Sequence, residues 1–260
     1  MDLHLTDKVI IVTGGAKGIG AGIVKVLAAE GAIPVVVGRN EADNIKVIAE
    51  IEAHGGRGFQ IVAELTQPTE CEKVVRITLE KCGRIDALVN NAGVNDSVGL
   101  ESGNYQRFVD SLHKNVIHYY LMAHHALPAL KASKGSIVNI GSKVAETGQG
   151  GTSAYAASNG ARNALTREWA VELLNDGIRV NSVIVAECFT PLYETWIQTL
   201  PNPKETLQQI IKKIPLGKRM TSAKEIADTV AFLISERSSH TTGQLIHVDG
   251  GYVHLDRAIS

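Results

Sequence analysis

The 260-residue chain has three cysteines, Cys71, Cys82 and Cys188, and no Cys-x-x-Cys. An odd count without that spacing argues against a disulfide framework and a zinc knuckle. Proline occupies seven positions, and no Pro- or Ser-rich stretch divides the chain into linked domains. No apolar run approaches the ~18 residues of a membrane span. The opening segment MDLHLTDKVIIVTGG holds only the short run Val9–Val12, too little for a secretory h-region. Excess charge of either sign is also missing: 26 Lys and Arg face 27 Asp and Glu, for a net charge of −1. That balance gives no electrostatic case for nucleic acid or an anionic membrane as partner. The reading is a cytoplasmic protein with reduced thiols and a small-molecule partner.

What is present is a globular composition, 44% hydrophobic and 20% charged, long enough to bury a sizeable core. Seven short apolar or β-branched runs stand out: Val9–Val12, Ile33–Val37, Gly58–Val62, Ala87–Val89, Ser136–Ile140, Arg179–Val185 and Leu245–Val248. Most are continuously apolar, as strands buried on both faces of a parallel sheet are. Helical periodicity fills the gaps, with Ile23, Val26 and Leu27 after the first run and Ile45, Ile48 and Ile51 after the second. Strand alternating with helix predicts an α/β fold, a single-domain Rossmann-type doubly wound parallel sheet with helices on both faces. One domain is expected over 1–260. The segment at about 187–215, containing TPLYETWIQTLPNP, breaks the rhythm before the last helix and strand and reads as a substrate lid.

After the first strand comes Thr13-Gly14-Gly15-Ala16-Lys17-Gly18-Ile19-Gly20. Glycines at 14, 18 and 20 permit a tight turn and close approach to a phosphate, which the following helix N-terminus would attract. No Walker sequence occurs. His113, His118, His124 and His125 crowd one segment without metal-binding spacing, and no metal is expected.

The Thr13-Gly-x-x-x-Gly18-x-Gly20 spacing resembles the cofactor loop of the short-chain dehydrogenase/reductase family. Four more features follow in order: Asn90-Asn91-Ala92-Gly93 after a strand, Asn115 in a helix, Ser142 with Tyr155 thirteen residues on, and the tail Val248-Asp249-Gly250-Gly251. The resemblance covers essentially the whole chain and implies a nicotinamide-dependent oxidoreductase. It casts Tyr155 as general base in oxidation and acid in reduction, and Ser142 as a hydrogen-bond donor to the reacting oxygen. Asn115 would hold the helix geometry and a relay water. Gly14, Lys17, Gly18, Ile19, Gly20, Asn91, Ala92, Gly93 and Thr190 would line the cofactor site, with Glu64 and Leu65 at the adenine end. Two departures are mild: Glu64 stands where Asp is common, and Val185-Ala186 where Pro-Gly is common. Cys188 reads as a packing residue.

The second strand ends Val37-Gly38-Arg39 with no acidic residue to bind a ribose 2′-hydroxyl. Arg39 and Lys17 favour a 2′-phosphate, so NADP is the expected cofactor, with NAD possible. Thr190-Pro-Leu-Tyr193-Glu-Thr-Trp196 and the tail His254-Leu-Asp-Arg257 resemble the family's L-fucose dehydrogenase subgroup. That implies oxidation of L-fucose, or a related aldose such as D-arabinose or L-galactose, to its lactone. Tyr193 and Trp196 would stack on the sugar and Glu187 accept its hydroxyls, beside Ser142 and Tyr155. A 3-oxoacyl or steroid reductase remains the alternative, weighed against by few basic residues in the lid. The helices near 104–131 and 152–175 resemble the family's dimer-forming pair and imply a homotetramer.

One position departs sharply. The family pattern is Tyr-x-x-x-Lys, and this chain has Asn159 four residues after Tyr155, on the same helix face. Asn159 can donate a hydrogen bond to the nicotinamide ribose but supplies no charge. Lys143 should face away from Ser142, and Arg162 lies about 10 Å along the helix from Tyr155. The expectation is a folded, cofactor-binding chain that turns over slowly at neutral pH, or a catalytically impaired nucleotide-binding protein.

Overall fold

A computed structural model of the chain describes residues 1–255; Arg257, part of the tail resemblance, lies outside the described residues. All seven apolar runs form strands: β1 Val9–Thr13, β2 Ile33–Gly38, β3 Phe59–Val62, β4 Ala87–Asn90, β5 Ser136–Ser142, β6 Arg179–Val185 and β7 Leu245–Val248. They make one parallel sheet in the order β3-β2-β1-β4-β5-β6-β7. The helices are α1 Gly18–Ala29, α2 Glu41–Glu52, α3 Pro68–Cys82, α4 Tyr105–Leu112, α5 His118–Ser133, α6 Ser153–Glu172, α7 Pro191–Ile197, α8 Pro203–Lys212 and α9 Ala223–Ile234.

Successive side chains on a strand point to opposite faces, so each continuous apolar run feeds two cores. Ile10, Val12, Val36 and Val138 pack on one face against Ile23, Leu27, Ile226 and Val230. Val9, Ile11, Val35 and Leu88 pack on the other against Val74, Met122, Leu130 and Trp169. The chain leaves β1 toward β2 and returns to β4 on β1's other side. The carboxyl ends of β1 and β4 therefore border a crevice with helices diverging on both sides, the place where such sheets hold ligands.

Two elements differ from the periodicity. The helical stretch at 104–131 is not one helix, because a π-turn at His113–Ile117 separates α4 from α5. The segment at 187–215 folds into α7 and α8, of which only Ile197 is buried among the helical side chains. No helix among the described residues is long and apolar enough to cross a membrane.

Candidate active site

The glycine loop is shaped by close backbone approach. Gly14 and Gly18 have φ of +63° and +55°, the left-handed region that L side chains avoid. A Cβ at Gly20 would sit 2.1 Å from the Gly14 carbonyl oxygen, and one at Gly14 would sit 3.0 Å from the Ala92 Cα. The loop is tied to the Asn91–Ala92 turn by Thr13, whose Oγ1 accepts from the Asn91 and Ala92 amides at 2.9 and 3.1 Å. The Asn91 amide in turn donates to the carbonyls of Thr13 and Gly14. Sequence reasoning missed Thr13 as a strut, although its place between strand and loop was the available signal. Lys17 caps α1 without a side-chain hydrogen bond, leaving the positive helix end open to an anion. A backbone cradle that any Cβ would fill, ending at an open helix N-terminus, fits a dinucleotide pyrophosphate.

One cleft brings together the residues drawn from separate motifs. Gly14, Lys17, Gly18, Ile19 and Gly20 form one wall; Asn91, Ala92 and Gly93 adjoin them. Ser142, Tyr155 and Thr190 line the same cleft. Ser142 ends β5, and its Oγ accepts from the Val144 amide at 3.4 Å. Tyr155 sits in the first turn of α6. Arg39, Glu64 and Leu65 lie beyond this cleft at the ends of β2 and β3. There Arg39 and Glu64 approach to 3.6 Å, Thr66 donates to Glu64, and Leu65 is buried. Lys17 bridges Asp43 at 2.7 Å.

Asn115 and Asn159 are both buried behind the cleft. Asn115 lies in the π-turn; its side chain accepts from the Val94 amide at 2.8 Å and donates to the Ser111 carbonyl at 3.0 Å. The wider π-turn frees the Asn115 carbonyl, which accepts from Arg162 Nε at 2.7 Å. The expectation that Asn159 reaches a cofactor ribose is not met. Its Nδ2 donates back to the Tyr155 carbonyl at 2.8 Å, its Oδ1 accepts from Arg162 at 3.1 Å, and it is fully enclosed. An amide is too short to pass its own helix wall. Arg162, set aside on sequence for its distance along the helix, does line the cleft. Side chains on a helix lean toward its N-terminus, and a guanidinium covers the turn that separates the backbones.

The three substrate candidates cluster outside that lining. Glu187 is buried and pairs with Lys143, whose ammonium also lies 4.1 Å from the Tyr252 ring centre. Lys143 thus turns away from the Ser142 cleft, as strand alternation predicts, but into a buried pair that the sequence did not reveal. Tyr193 stacks edge-on against Trp196 at 5.0 Å. Burial and then the Glu187 carboxylate push its phenol well above the ordinary tyrosine range.

Burial raises the Cys188 thiol to about 11, which fits a packing residue and not a nucleophile. Among the described residues Glu146, His247 and His254 have metal-ligand spacing, but they lie outside the cleft and His247 already contacts Glu146 at 3.1 Å.

The family model described as enoyl-(acyl carrier protein) reductase matches residues 14–253. The L-fucose dehydrogenase of Bos taurus is 34% identical over 252 residues, 96% of this chain and 91% of that protein. The 3-oxoacyl-(acyl-carrier-protein) reductase of Thermotoga maritima is 34% identical over 253 residues, 96% of this chain and all of that protein. Among solved structures, one titled Cj0485 dehydrogenase superposes with a TM-score of 0.94 at 46% identity, covering 100% of this chain and 99% of that one. With its parallel sheet, glycine cradle and matched length, the chain belongs to the short-chain dehydrogenase/reductase family of NAD(P)-dependent oxidoreductases.

Proposed function

We propose that the chain oxidises a sugar hydroxyl, L-fucose or a related aldose such as D-arabinose or L-galactose, to its lactone. The observation that carries this reading is the buried Lys143–Glu187 pair beside the Tyr193–Trp196 edge. A polyhydroxylated ring asks for fixed charged hydrogen-bonding partners next to an aromatic face, and Ser142 and Tyr155 lie at the neighbouring cleft. The likeness to proteins named L-fucose dehydrogenase supports it. When bound, the nicotinamide supplies the acceptor for the hydride that leaves the substrate carbon. Tyr155, deprotonated, takes the hydroxyl proton while the carbon–oxygen double bond forms. Ser142 Oγ donates to that oxygen and steadies its charge. The helices over 187–215 act as the lid, bringing Tyr193 and Trp196 over the sugar and excluding water.

The test is an aldose panel with L-fucose, D-arabinose and L-galactose run against a 3-oxoacyl thioester and a steroid. Higher kcat/KM for the aldoses is expected. Equal or better turnover of the thioester or steroid would give the site to the second reading. One observation favours that alternative: the lid is less poor in cations than expected, with Lys204, Lys212 and Lys213 all exposed, though Glu187, Glu194 and Glu205 balance them.

NADP is the cofactor proposed. Arg39 is 82% exposed and held only by a long contact to Glu64, so a 2′-phosphate can recruit it. Arg39→Asp is expected to lower the NADP-to-NAD ratio of kcat/KM by about 10–100-fold, the worth of a charge-assisted contact of ~1.5–3 kcal/mol. A wild-type preference for NAD would overturn the charge argument. Exposed Tyr105, Tyr120 and Val171 on α4, α5 and α6 support assembly through these helices into a homotetramer, and a monomeric mass by light scattering would refute it. Three free thiols support a cytoplasmic location.

A further inference from the structure

Arg162 is 3% exposed, and no carboxylate among the described residues pairs with it. Its hydrogen bonds all go to neutral acceptors: the carbonyls of Asn115 and Ile140 at 2.7 and 3.1 Å, and the side chains of Asn159 and Asn115 at 3.1 and 3.5 Å. The guanidinium lies 4.3 Å from the Tyr119 ring centre, and a Cβ on Gly93 would come within 2.8 Å of its Nη2. Its seat is fixed, because Thr166 donates to the Arg162 carbonyl and Asn139 on β5 donates to Thr166.

The titratable groups facing this cation are not anions at neutral pH. From α5, burial and then Arg162 itself lower His118 to about 4, so the imidazole is neutral. Tyr119 is raised to about 12 by burial, against the pull of Arg162, and Tyr155 acts on the same ring. From α6 and the π-turn come only the amides of Asn159 and Asn115. On the cleft wall the other titratable groups are Lys17, Cys188 and Tyr155; Lys17 is a cation and the Cys188 thiol is raised to about 11. Lys143 and Glu187 neutralise each other. A buried cation without a partner is unfavourable until an anion forms near it, and in this cleft Tyr155 is the side chain that can form one.

We infer that Arg162 is the charged positioning residue of this site, holding through the π-turn carbonyl and Asn159 a positive charge that favours the deprotonated Tyr155 during oxidation. This rests on Tyr155 being the acid–base group. Asn159 is then not a lesion: an amide at that position leaves room for the guanidinium and passes a hydrogen bond to the Tyr155 carbonyl. Turnover at pH 7 needs no lysine at 159.

The test measures kcat against pH from 6 to 10 with NADP and the best aldose of the panel, for the wild type and for Arg162→Gln, which keeps a donor and loses the charge. Arg162→Gln is expected to move the rising limb up by about 1–2 pH units, the effect of one adjacent opposite charge. Its rate should fall about 10–100-fold at pH 7, that shift read at fixed pH, and recover toward pH 10. Arg162→Lys should restore part of the shift. Asn159→Lys alone sets two buried cations within one turn and is expected to lower the rate, whereas Asn159→Lys with Arg162→Leu should return the wild-type profile. The same midpoints are read without substrate, from the tyrosinate absorbance of each protein minus that of its Tyr155→Phe counterpart. If Arg162→Gln does not fold, the double variant decides: a wild-type profile supports the inference, and a folded but inactive double variant overturns it. A uniform loss at every pH, an unshifted limb, or a large gain at pH 7 from Asn159→Lys alone would also overturn it. Activity surviving Tyr155→Phe would instead overturn the acid–base assignment, a separate failure.

Discussion

The floor and the rim of the cleft hold cations in opposite ways. At the floor Arg162 is enclosed and bonded on every side to carbonyls and amides, and nearby Lys143 and Glu187 are each about one-tenth exposed. At the rim Lys17 and Arg39 are 63% and 82% exposed and rest in single ion pairs with Asp43 and Glu64. The floor charges cannot move without leaving polar groups stranded in a poor solvent, so their positions are part of the fold. The rim charges exchange partners at little cost. A dinucleotide arriving at the rim meets side chains that can let go of their acids, whereas a substrate at the floor meets an electrostatic field already set.

This contrast can be broken by substitution. The largest effect is expected for Glu187→Gln, which strands the Lys143 ammonium: the chain should lose about 3–5 kcal/mol of stability, read from the denaturant midpoint with an unchanged m-value. A loss no greater than that of a surface pair would place Glu187 with the rim. A smaller effect belongs to His118, whose folded-state value of about 4 lies below that of an unfolded histidine. The unfolded chain then binds a proton that the folded chain refuses, so this contribution is complete above the unfolded value and is lost as pH falls from about 6.5 toward 4. Between pH 7 and pH 5 it should cost about 2 kcal/mol, and His118→Gln should flatten that slope; an unchanged slope would remove His118 from the buried set. The smallest effect is expected for Lys17→Met, at ~0.5 kcal/mol or less in stability, while titration shows weaker NADP binding. A stability loss comparable to Glu187→Gln would erase the distinction.

The parts of the molecule that sequence reveals are those whose local rule is also the global one. A run such as Val9-Ile-Ile-Val12 must be buried on both sides, and in this fold only a central parallel strand does that. The glycine loop is legible because close approach of backbones leaves no other residue type. Arg162 was not legible. Counting along the helix axis put it too far from Tyr155, and nothing in the spacing shows that a π-turn on a different helix exposes a carbonyl to receive it. The Lys143–Glu187 pair escaped for a similar reason: 44 residues separate the partners, and β6 brings them together only through its register with β5, where Ser142 pairs with Val185. Asn159 was judged by what it lacks, and its enclosed amide shows that a substitution must be read with the neighbour one turn on.

The π-turn at His113–Ile117 amounts to one surplus residue in an otherwise regular helix. Removing any one of its five residues would let α4 and α5 anneal into a single rod, at the cost of turning everything downstream by about 100°. Tyr119, Met122 and Leu130, all fully buried on α5, would then swing off the sheet. The irregularity that hands a carbonyl to Arg162 is therefore locked by the phase of the hydrophobic core behind it, and a deletion that tidied the helix would unseat half the fold.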